Sequence, residues 1–165
     1  MAETAKIIHP IPPLFCAESR TLILGSFPSV KSREAMFFYG HPQNRFWRLM
    51  ALLYGEETPL TVEEKKRLIL SRRLALWDTI HSCTVTGSAD SSIKDVVPND
   101  LSLILQNSRV DRIFCNGATS HKLYQKYIYP KNGIRALKLP STSPANAAWS
   151  LERLAEAWRV IRDDT

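Results

Sequence analysis

The sequence predicts an α/β fold: a single three-layer domain in which a mostly parallel, four-stranded sheet is flanked by helices. Short apolar runs that end at Gly or Pro alternate with segments of helical periodicity, which is typical of parallel strands joined by crossover helices. The length of 165 residues suits one domain with one core. We therefore expect residues 1–165 to form one domain. Residues 1–19 should be an extended lead-in, because HPIPP at 9–13 is too proline-rich for a helix.

Four apolar runs are the predicted strands. Residues 21–27 (TLILGSF) form a run stopped by Gly25 and Pro28, as in a strand buried on both faces. The other predicted strands are residues 74–80 (LALWDTI), 112–117 (RIFCNG) and 135–139 (RALKL). Residues 81–98 are polar, with GSADSS in the middle, and we expect a long surface loop there.

Periodicity and capping residues predict the helices. One helix follows from apolar residues at i, i+3, i+4 and i+7, namely Phe46, Leu49, Met50 and Leu53. Thr61 and Glu64 form a capping box, which predicts a helix that runs to about residue 73. Residues 100–108 are expected to be a short helix and residues 118–128 a crossover helix. Ser150 is a plausible N-cap for a last helix with an apolar face.

The formal net charge of +6 favours a polyanionic partner such as nucleic acid. No apolar stretch approaches the roughly 20 residues that a membrane span needs, and the N-terminus does not resemble a signal peptide. Scattered Cys16, Cys83 and Cys115 fit a reducing compartment. We therefore expect a cytoplasmic monomer that does not bind a membrane.

Several common kinds of site have no support in the sequence. The cysteines lack CxxC spacing, and neither HExxH nor a histidine–carboxylate cluster suggests a metal. Neither GxGxxG nor GxxxxGK[ST] occurs, and GSFPS does not match the GxSxG of serine hydrolases. We expect neither a metal nor a cofactor.

Polar segments follow three of the predicted strands. They are GSFPS, NGATSHK and PSTSPAN, all rich in small hydroxyl and amide residues. In a parallel sheet such segments meet at the carboxyl ends of the strands, where ligands bind. Aromatic residues at 37–39 stand nearby, and this mixture suits a planar heterocycle that is stacked on rings and hydrogen-bonded along its edge.

Three motifs give the chain its resemblance to a known family. LILGSFPS, then YGHPQNRFW, then LPSTSPAN leading into SLERLAEAW resemble the uracil-DNA glycosylase superfamily, and most of all its hypoxanthine-DNA (deoxyinosine) glycosylase branch. The resemblance runs from about residue 8 to the C-terminus. It implies a metal-independent enzyme that removes a deaminated base from DNA in base excision repair.

The resemblance also implies site residues, with two departures. Phe27 stands where the mismatch-specific enzymes have their catalytic Asn, and Ser141-Thr142-Ser143 replaces the His or Asn that opens the second motif in other branches. In the hypoxanthine branch the catalytic amide comes from the segment that HPQN resembles, which implies that Asn44 is the catalytic amide here. Asn116 is a second amide that could face the pocket.

Each of these residues has a purely structural alternative. Asn44 could cap the helix that follows it, and Asn116 could only make a turn before Gly117. The predicted base pocket consists of Gly25, Ser26, Phe27, Phe38, Tyr39, His41, Ser141 and Ser143. The predicted DNA contacts are Lys31, Arg33, Arg45 and Lys122, together with the loop residues Pro144, Ala145 and Asn146.

The expected function is therefore a monofunctional glycosylase that releases hypoxanthine from double- or single-stranded DNA. Two rivals remain open. One is a mismatch-specific uracil or thymine glycosylase. The other is a module that binds a nucleotide without cutting it, for which the absence of Asn at Phe27 is the best support.

Overall fold

The computed structural model describes residues 4–86 and 93–162. Within these ranges the strands are β1 (Thr4–Ile8), β2 (Thr21–Gly25), β3 (Leu74–Asp78), β4 (Ile80–Thr86), β5 (Lys94–Pro98), β6 (Arg112–Asn116) and β7 (Ala136–Leu139). The α-helices are α1 (Val30–Ala35), α2 (Phe46–Tyr54), α3 (Val62–Ser71), α4 (Ser102–Gln106), α5 (Ala118–Leu123), α6 (Tyr129–Asn132) and α7 (Leu151–Trp158). A π-helical turn (Tyr124–Ile128) follows α5, and a 3₁₀ turn (Arg159–Arg162) follows α7. No helix of the described ranges is long and apolar enough to cross a membrane.

The central sheet confirms the predicted fold class. Its four strands are parallel and lie in the order β3-β2-β6-β7. Every residue of β2 is buried, as expected for a strand covered on both faces. Apolar side chains of α2, α3 and α7 cover one face of the sheet. Side chains of α4 and of the π-helical turn cover the other.

A second sheet was not predicted. Strands β1, β4 and β5 pair antiparallel in the order β1-β4-β5, so the expectation of a surface loop over residues 81–98 was wrong wherever the structure describes it. Its GSADSS segment lies outside the described residues. Although the sequence of β4 is largely polar, its residues Ile80, Cys83 and Val85 form a small buried cluster. The predicted strand over 74–80 therefore divides, with β3 ending at Asp78 and β4 beginning at Ile80.

The predicted helix starts are observed. The Thr61 side chain accepts from the Glu64 amide while the Glu64 carboxylate accepts from the Thr61 amide, so α3 begins with its capping box. Ser150 caps α7 by accepting from the Arg153 amide. Phe46 and its apolar neighbours on α2 are buried in the core.

Two helical features differ from the expectation. Helix α1 was not predicted; Ser29 caps it by accepting from the Ser32 amide. The crossover segment 118–128 is not one α-helix, because it widens after Leu123 into the π-helical turn. Pro130 lies two residues after this turn, and because it has no N–H it cannot donate to the carbonyl of residue 126 as an α-helix would require.

Trp158 connects the last helix to the end of the central sheet. It is fully buried, and its indole Nε1–H donates to the Pro140 carbonyl at 2.9 Å. Pro140 directly follows β7 and precedes the polar loop at 141–149. This bond therefore holds the start of that loop against the core.

Replacing Trp158 by Phe should lower the free energy of unfolding by about 1–3 kcal/mol, because the Pro140 carbonyl loses a buried donor. Urea denaturation followed by circular dichroism measures this. Leu60→Ala, at a side chain that is 81% exposed, is the control and should change the free energy by less than about 0.5 kcal/mol. An unchanged urea midpoint for Trp158→Phe would contradict the role given to this hydrogen bond.

Candidate active site

The polar segments meet at the carboxyl edge of the central sheet, as predicted. A cavity of about 240 Å³ opens there between the ends of β2, β3 and β6 and the loop after β7. Its walls contain all the residues predicted for the base pocket and both predicted catalytic amides. The lining residues are Gly25, Ser26, Phe27, Pro28, Ser29, Ser32, Phe38, Tyr39, His41, Asn44, Asp78, Asn116, Ser141, Thr142, Ser143 and Pro144.

Asn44 is a pocket residue that also bonds to the first turn of α2, whose N-cap position is the next residue, Arg45. Its Oδ1 accepts from the Phe46 amide at 2.9 Å, at the first residue of α2, and from the Thr142 hydroxyl at 2.8 Å. A backbone N–H can only donate, so the side-chain atom of Asn44 that faces the Phe46 amide must be its oxygen and not its nitrogen. Its Nδ2 has no hydrogen-bond partner among the described residues, and Asn44 is one of the residues that line the cavity. Asn44 therefore presents a hydrogen-bond donor to a ligand.

Asn116 has a different role, because both ends of its amide are already used. Its Nδ2 donates to the Thr142 hydroxyl at 3.0 Å, and its Oδ1 accepts from the Thr142 amide at 3.0 Å. Thr142 is fully buried. Its hydroxyl thus accepts from Asn116 and donates to Asn44, forming a relay that joins β6, the 141–149 loop and the start of α2. The sequence did not single out Thr142, although it lies inside the STS motif.

Aromatic side chains form much of the cavity wall. Phe38 is buried, and the Trp47 indole donates to its carbonyl at 3.1 Å. Tyr39 stacks on Phe46 with a ring-centroid distance of 4.0 Å. Phe27 lies edge-on to His9, with centroids 5.8 Å apart. The wall can therefore hold a flat, apolar-faced ring.

Tyr39 is held in an unusual conformation. Its φ of 54° lies in the left-handed region, which is costly for a bulky residue and is often found at functional sites. The hydroxyl is buried and has no hydrogen-bond partner among the described residues. Burial raises the pKa of this hydroxyl and the charge of Asp78 raises it further, whereas the nearby Asn116 side chain lowers it. Tyr39 therefore remains a neutral donor.

Sequence reasoning missed a buried histidine–carboxylate pair whose carboxylate residue, Asp78, lines the cavity. His9 Nε2 is 2.7 Å from Asp78 Oδ2. The two side chains are only 2% and 6% exposed. Asp78 is the last residue of β3, so the same rule that located the polar loops could have identified it. His9 had no such signal, because it comes from the N-terminal lead-in. No group of three or more metal-binding side chains occurs among the described residues.

The predicted DNA-contact residues differ in their exposure and in the groups that their side chains contact. Lys31 is exposed and lies 3.9 Å from Glu34, and Lys122 is exposed on α5. Arg33 lies over the Phe27 ring, 5.7 Å from its centroid. Pro144 lines the cavity, Ala145 is exposed, and Asn146 Nδ2 donates to the Ser141 carbonyl at 3.0 Å.

Arg45 has a structural role that the sequence did not predict. Its guanidinium donates to the carbonyls of Ser143 and Asn146, each at 3.0 Å, and also to that of Trp149. Its own amide donates to the Thr142 carbonyl at 3.0 Å. Through these hydrogen bonds Arg45 holds the 141–149 loop against the start of α2.

Known proteins resemble this chain in both sequence and structure. Residues 12–163 match the model of the uracil DNA glycosylase superfamily. A Methanosarcina acetivorans protein named hypoxanthine DNA glycosylase is 32% identical over 151 residues, which cover 91% of this chain and 94% of that protein. A Methanosarcina barkeri protein of the same name is 32% identical over 94 residues, covering 56% of this chain and 60% of that protein. The solution NMR structure of a candidate uracil DNA glycosylase from Methanosarcina acetivorans superposes with a TM-score of 0.80 at 32% identity, covering 94% and 98% of the two chains.

Replacing Arg45 by Met should loosen the 141–149 loop, because several charge-assisted hydrogen bonds are lost while most of the side-chain volume stays. Hydrogen exchange of the Asn146 and Trp149 amides, which bond within the loop, should become about 10- to 100-fold faster, as expected for the loss of 1.5–3 kcal/mol. Arg48→Met is the matched control, since Arg48 is exposed on the same helix. Equal exchange in both variants would contradict the fastening role.

Proposed function

The chain belongs to the uracil-DNA glycosylase superfamily, and from this membership we propose that it is a monofunctional DNA glycosylase that releases hypoxanthine from DNA during base excision repair. The hypoxanthine DNA glycosylases that it resembles over most of its length support this substrate. The observation that supports the proposal most is Asn44, a cavity residue whose amide oxygen is held by the Phe46 amide and the Thr142 hydroxyl, which leaves its nitrogen available to donate to a base.

Hydrolysis in this site needs no covalent intermediate. As the bond between N9 and the sugar lengthens, the sugar becomes oxocarbenium-like and negative charge grows on the departing base. Asn44 Nδ2 would donate to a ring nitrogen of that base, and a donor held in place before the reaction stabilises such charge well. The neutral amide avoids the desolvation penalty of a buried ammonium. No lysine lines the cavity among the described residues, which favours hydrolysis over Schiff-base chemistry.

Phe27 cannot hold the attacking water, because its side chain has no polar atom and packs against His9. Hydroxyl groups that line the cavity would take over that task, from Ser26, Ser29, Ser141 and Ser143. Water then attacks the sugar after most of the bond has broken, when a strong base is least needed. The loss of the usual amide at Phe27 is therefore compatible with catalysis.

The damaged nucleotide must leave the duplex to reach this cavity. Pro144 stands at the cavity wall in a loop that Arg45 and Asn146 hold in shape. We propose that this loop, with Ala145 at its exposed tip, approaches the gap left in the helix. Its residues are small, so extrusion should depend on weak pairing at the lesion. We further propose that the chain acts as a single-domain monomer in the cytoplasm.

Single-turnover assays on duplexes that contain inosine, uracil, xanthine or a G·T mismatch test this proposal. We expect hypoxanthine to be released fastest, leaving an abasic site that alkali cleaves. Faster release of uracil or thymine would favour the mismatch-specific rival. Binding without release of any base would favour the binding module. Direct strand scission or a borohydride-trapped adduct would exclude the monofunctional assignment.

Asn44→Ala should lower the single-turnover rate by about 10²-fold or more, because a preorganised donor is removed from the developing charge. Asn116→Ala should lower the rate less, since Asn116 acts through Thr142. Gln43→Ala, at an exposed neighbour, is the matched control. If Asn44→Ala reduced only the melting temperature and left the rate unchanged, Asn44 would be a helix cap alone.

DNA affinity should fall steeply as salt rises, because lysines and arginines that contact phosphates release counterions. Fluorescence anisotropy titrations measure the slope of log affinity against log salt concentration. They should run between 50 and 200 mM salt, a range in which such proteins lose much of their affinity. Lys31→Ala and Lys122→Ala should each reduce the slope by about 1. A slope near zero in the unaltered protein would remove the case for a phosphate-binding surface.

A further inference from the structure

The cavity wall contains polar atoms that the proposed chemistry does not use. Asp78 is 4% exposed, and its Oδ2 is bonded to His9. Its Oδ1 has no hydrogen-bond partner among the described residues. A Cβ added to Gly25 would overlap Asp78 Oδ1 and come within 3.3 Å of the Tyr39 hydroxyl. The missing side chain at Gly25 therefore leaves room beside both the Asp78 Oδ1 acceptor and the Tyr39 hydroxyl donor.

His9 determines which kind of atom Asp78 can present. The Ile11 amide donates to His9 Nδ1 at 3.3 Å, so the proton of the neutral ring is assigned to Nε2. Nε2–H then donates to Asp78 Oδ2. Because His9 supplies the donor, the group at position 78 must turn an acceptor oxygen toward it. With a carboxylate at this position, the second oxygen facing the cavity is an acceptor as well.

We propose that the His9–Asp78 pair makes the pocket selective for lactam bases, with Asp78 Oδ1 accepting the ring N–H and the Tyr39 hydroxyl donating to the adjacent carbonyl oxygen. Hypoxanthine offers this pattern as N1–H beside O6, and xanthine and uracil offer the same pair of groups. Adenine presents a bare N1 lone pair to the carboxylate and is repelled. This inference rests on the proposed function, whose pocket it explains.

The burial of Asp78 in the cavity wall supports contact with the far edge of the base. The sugar stays attached to the DNA backbone, so the glycosidic bond must remain near the cavity mouth, at the partly exposed residues Asn44 and Ser143. The edge opposite that bond then reaches the buried side chain of Asp78. A flipped base is recognised by hydrogen bonds to this edge. Asp78 is thus a specificity residue, and His9 is a positioning residue that acts through it.

Asp78→Asn is the decisive variant, because it keeps the shape and reverses the hydrogen-bonding group. His9 Nε2–H holds the Asn oxygen, so the amide NH₂ turns into the cavity as a donor, which suits the N1 of adenine. The probes are duplexes with 2′-fluoroarabino-inosine or 2′-fluoroarabino-adenosine, which resist hydrolysis, each opposite an abasic analogue so that neither base is paired. Preference for inosine in anisotropy titrations should fall by about 10- to 100-fold, the effect of one charged hydrogen bond.

Variants of His9 separate positioning from folding. His9→Gln can still donate a hydrogen bond to Asp78 and should keep most of the preference for inosine over adenosine. His9→Phe keeps a ring next to Phe27 but cannot donate, so the preference should fall by about 10-fold or more. Melting temperatures accompany every titration. If Asp78→Asn fails to fold, the difference between the His9 variants decides the question.

The outcomes distinguish this inference from the proposed function. If the unaltered protein binds inosine selectively but releases no base, the glycosylase proposal fails while the assignment of Asp78 stands. A preference that is unchanged in Asp78→Asn overturns the assignment. Loss of hypoxanthine release with an unchanged binding preference also overturns it, because Asp78 would then act on the reaction and not on base recognition.

Discussion

The buried hydroxyl of Thr142 is the contact on which the site depends. It accepts from Asn116 and donates to Asn44, and so couples a strand end, a loop and a helix start that lie far apart in the sequence. The Asn116 amide is fixed by the Thr142 backbone, and the Asn44 amide is fixed by the Phe46 backbone. With both amides fixed, the hydroxyl has one direction left in which to donate. A buried network in which each partner is satisfied holds one arrangement, whereas a partly satisfied one would be costly.

This arrangement explains why a hydrogen bond to the start of α2 and the proposed catalytic role are compatible in Asn44. The oxygen of the amide satisfies a helix N–H that would otherwise lack a partner, and the nitrogen of the same amide stays available to a ligand. Arg45, the next residue, donates to the carbonyls of the opposite loop. The start of α2 therefore fixes both the Asn44 amide and the 141–149 loop next to it. Motion of either would displace the donor from the departing base.

The sequence was sufficient for the central sheet and for most of the cavity, because both follow from local patterns. Apolar runs identified the parallel strands, and the carboxyl-end rule collected the residues around Asn44 and Ser141. The second sheet was missed because Ser and Thr dominate β4, so its alternation is weak and its pairing with β1 spans about half of the chain. His9 was missed for a similar reason. A residue in a proline-rich lead-in gives no local sign that it will meet Asp78, 69 residues further along. The site residues themselves stay predictions until the variants are assayed.

A carboxylate beside a departing base raises a physical problem, because the base gains negative charge as its bond breaks. Two features reduce the conflict. In the proposed orientation of the base, Asp78 contacts the edge away from the glycosidic nitrogen, and the His9 N–H draws part of its charge toward the protein. Asn44, on the opposite side, donates where the charge develops. Under this division Asp78 contributes binding that is as strong in the ground state as in the transition state or stronger, while Asn44 contributes binding that grows along the reaction. Selectivity and rate are then set by different residues of one cavity, and the first can be changed without abolishing the second.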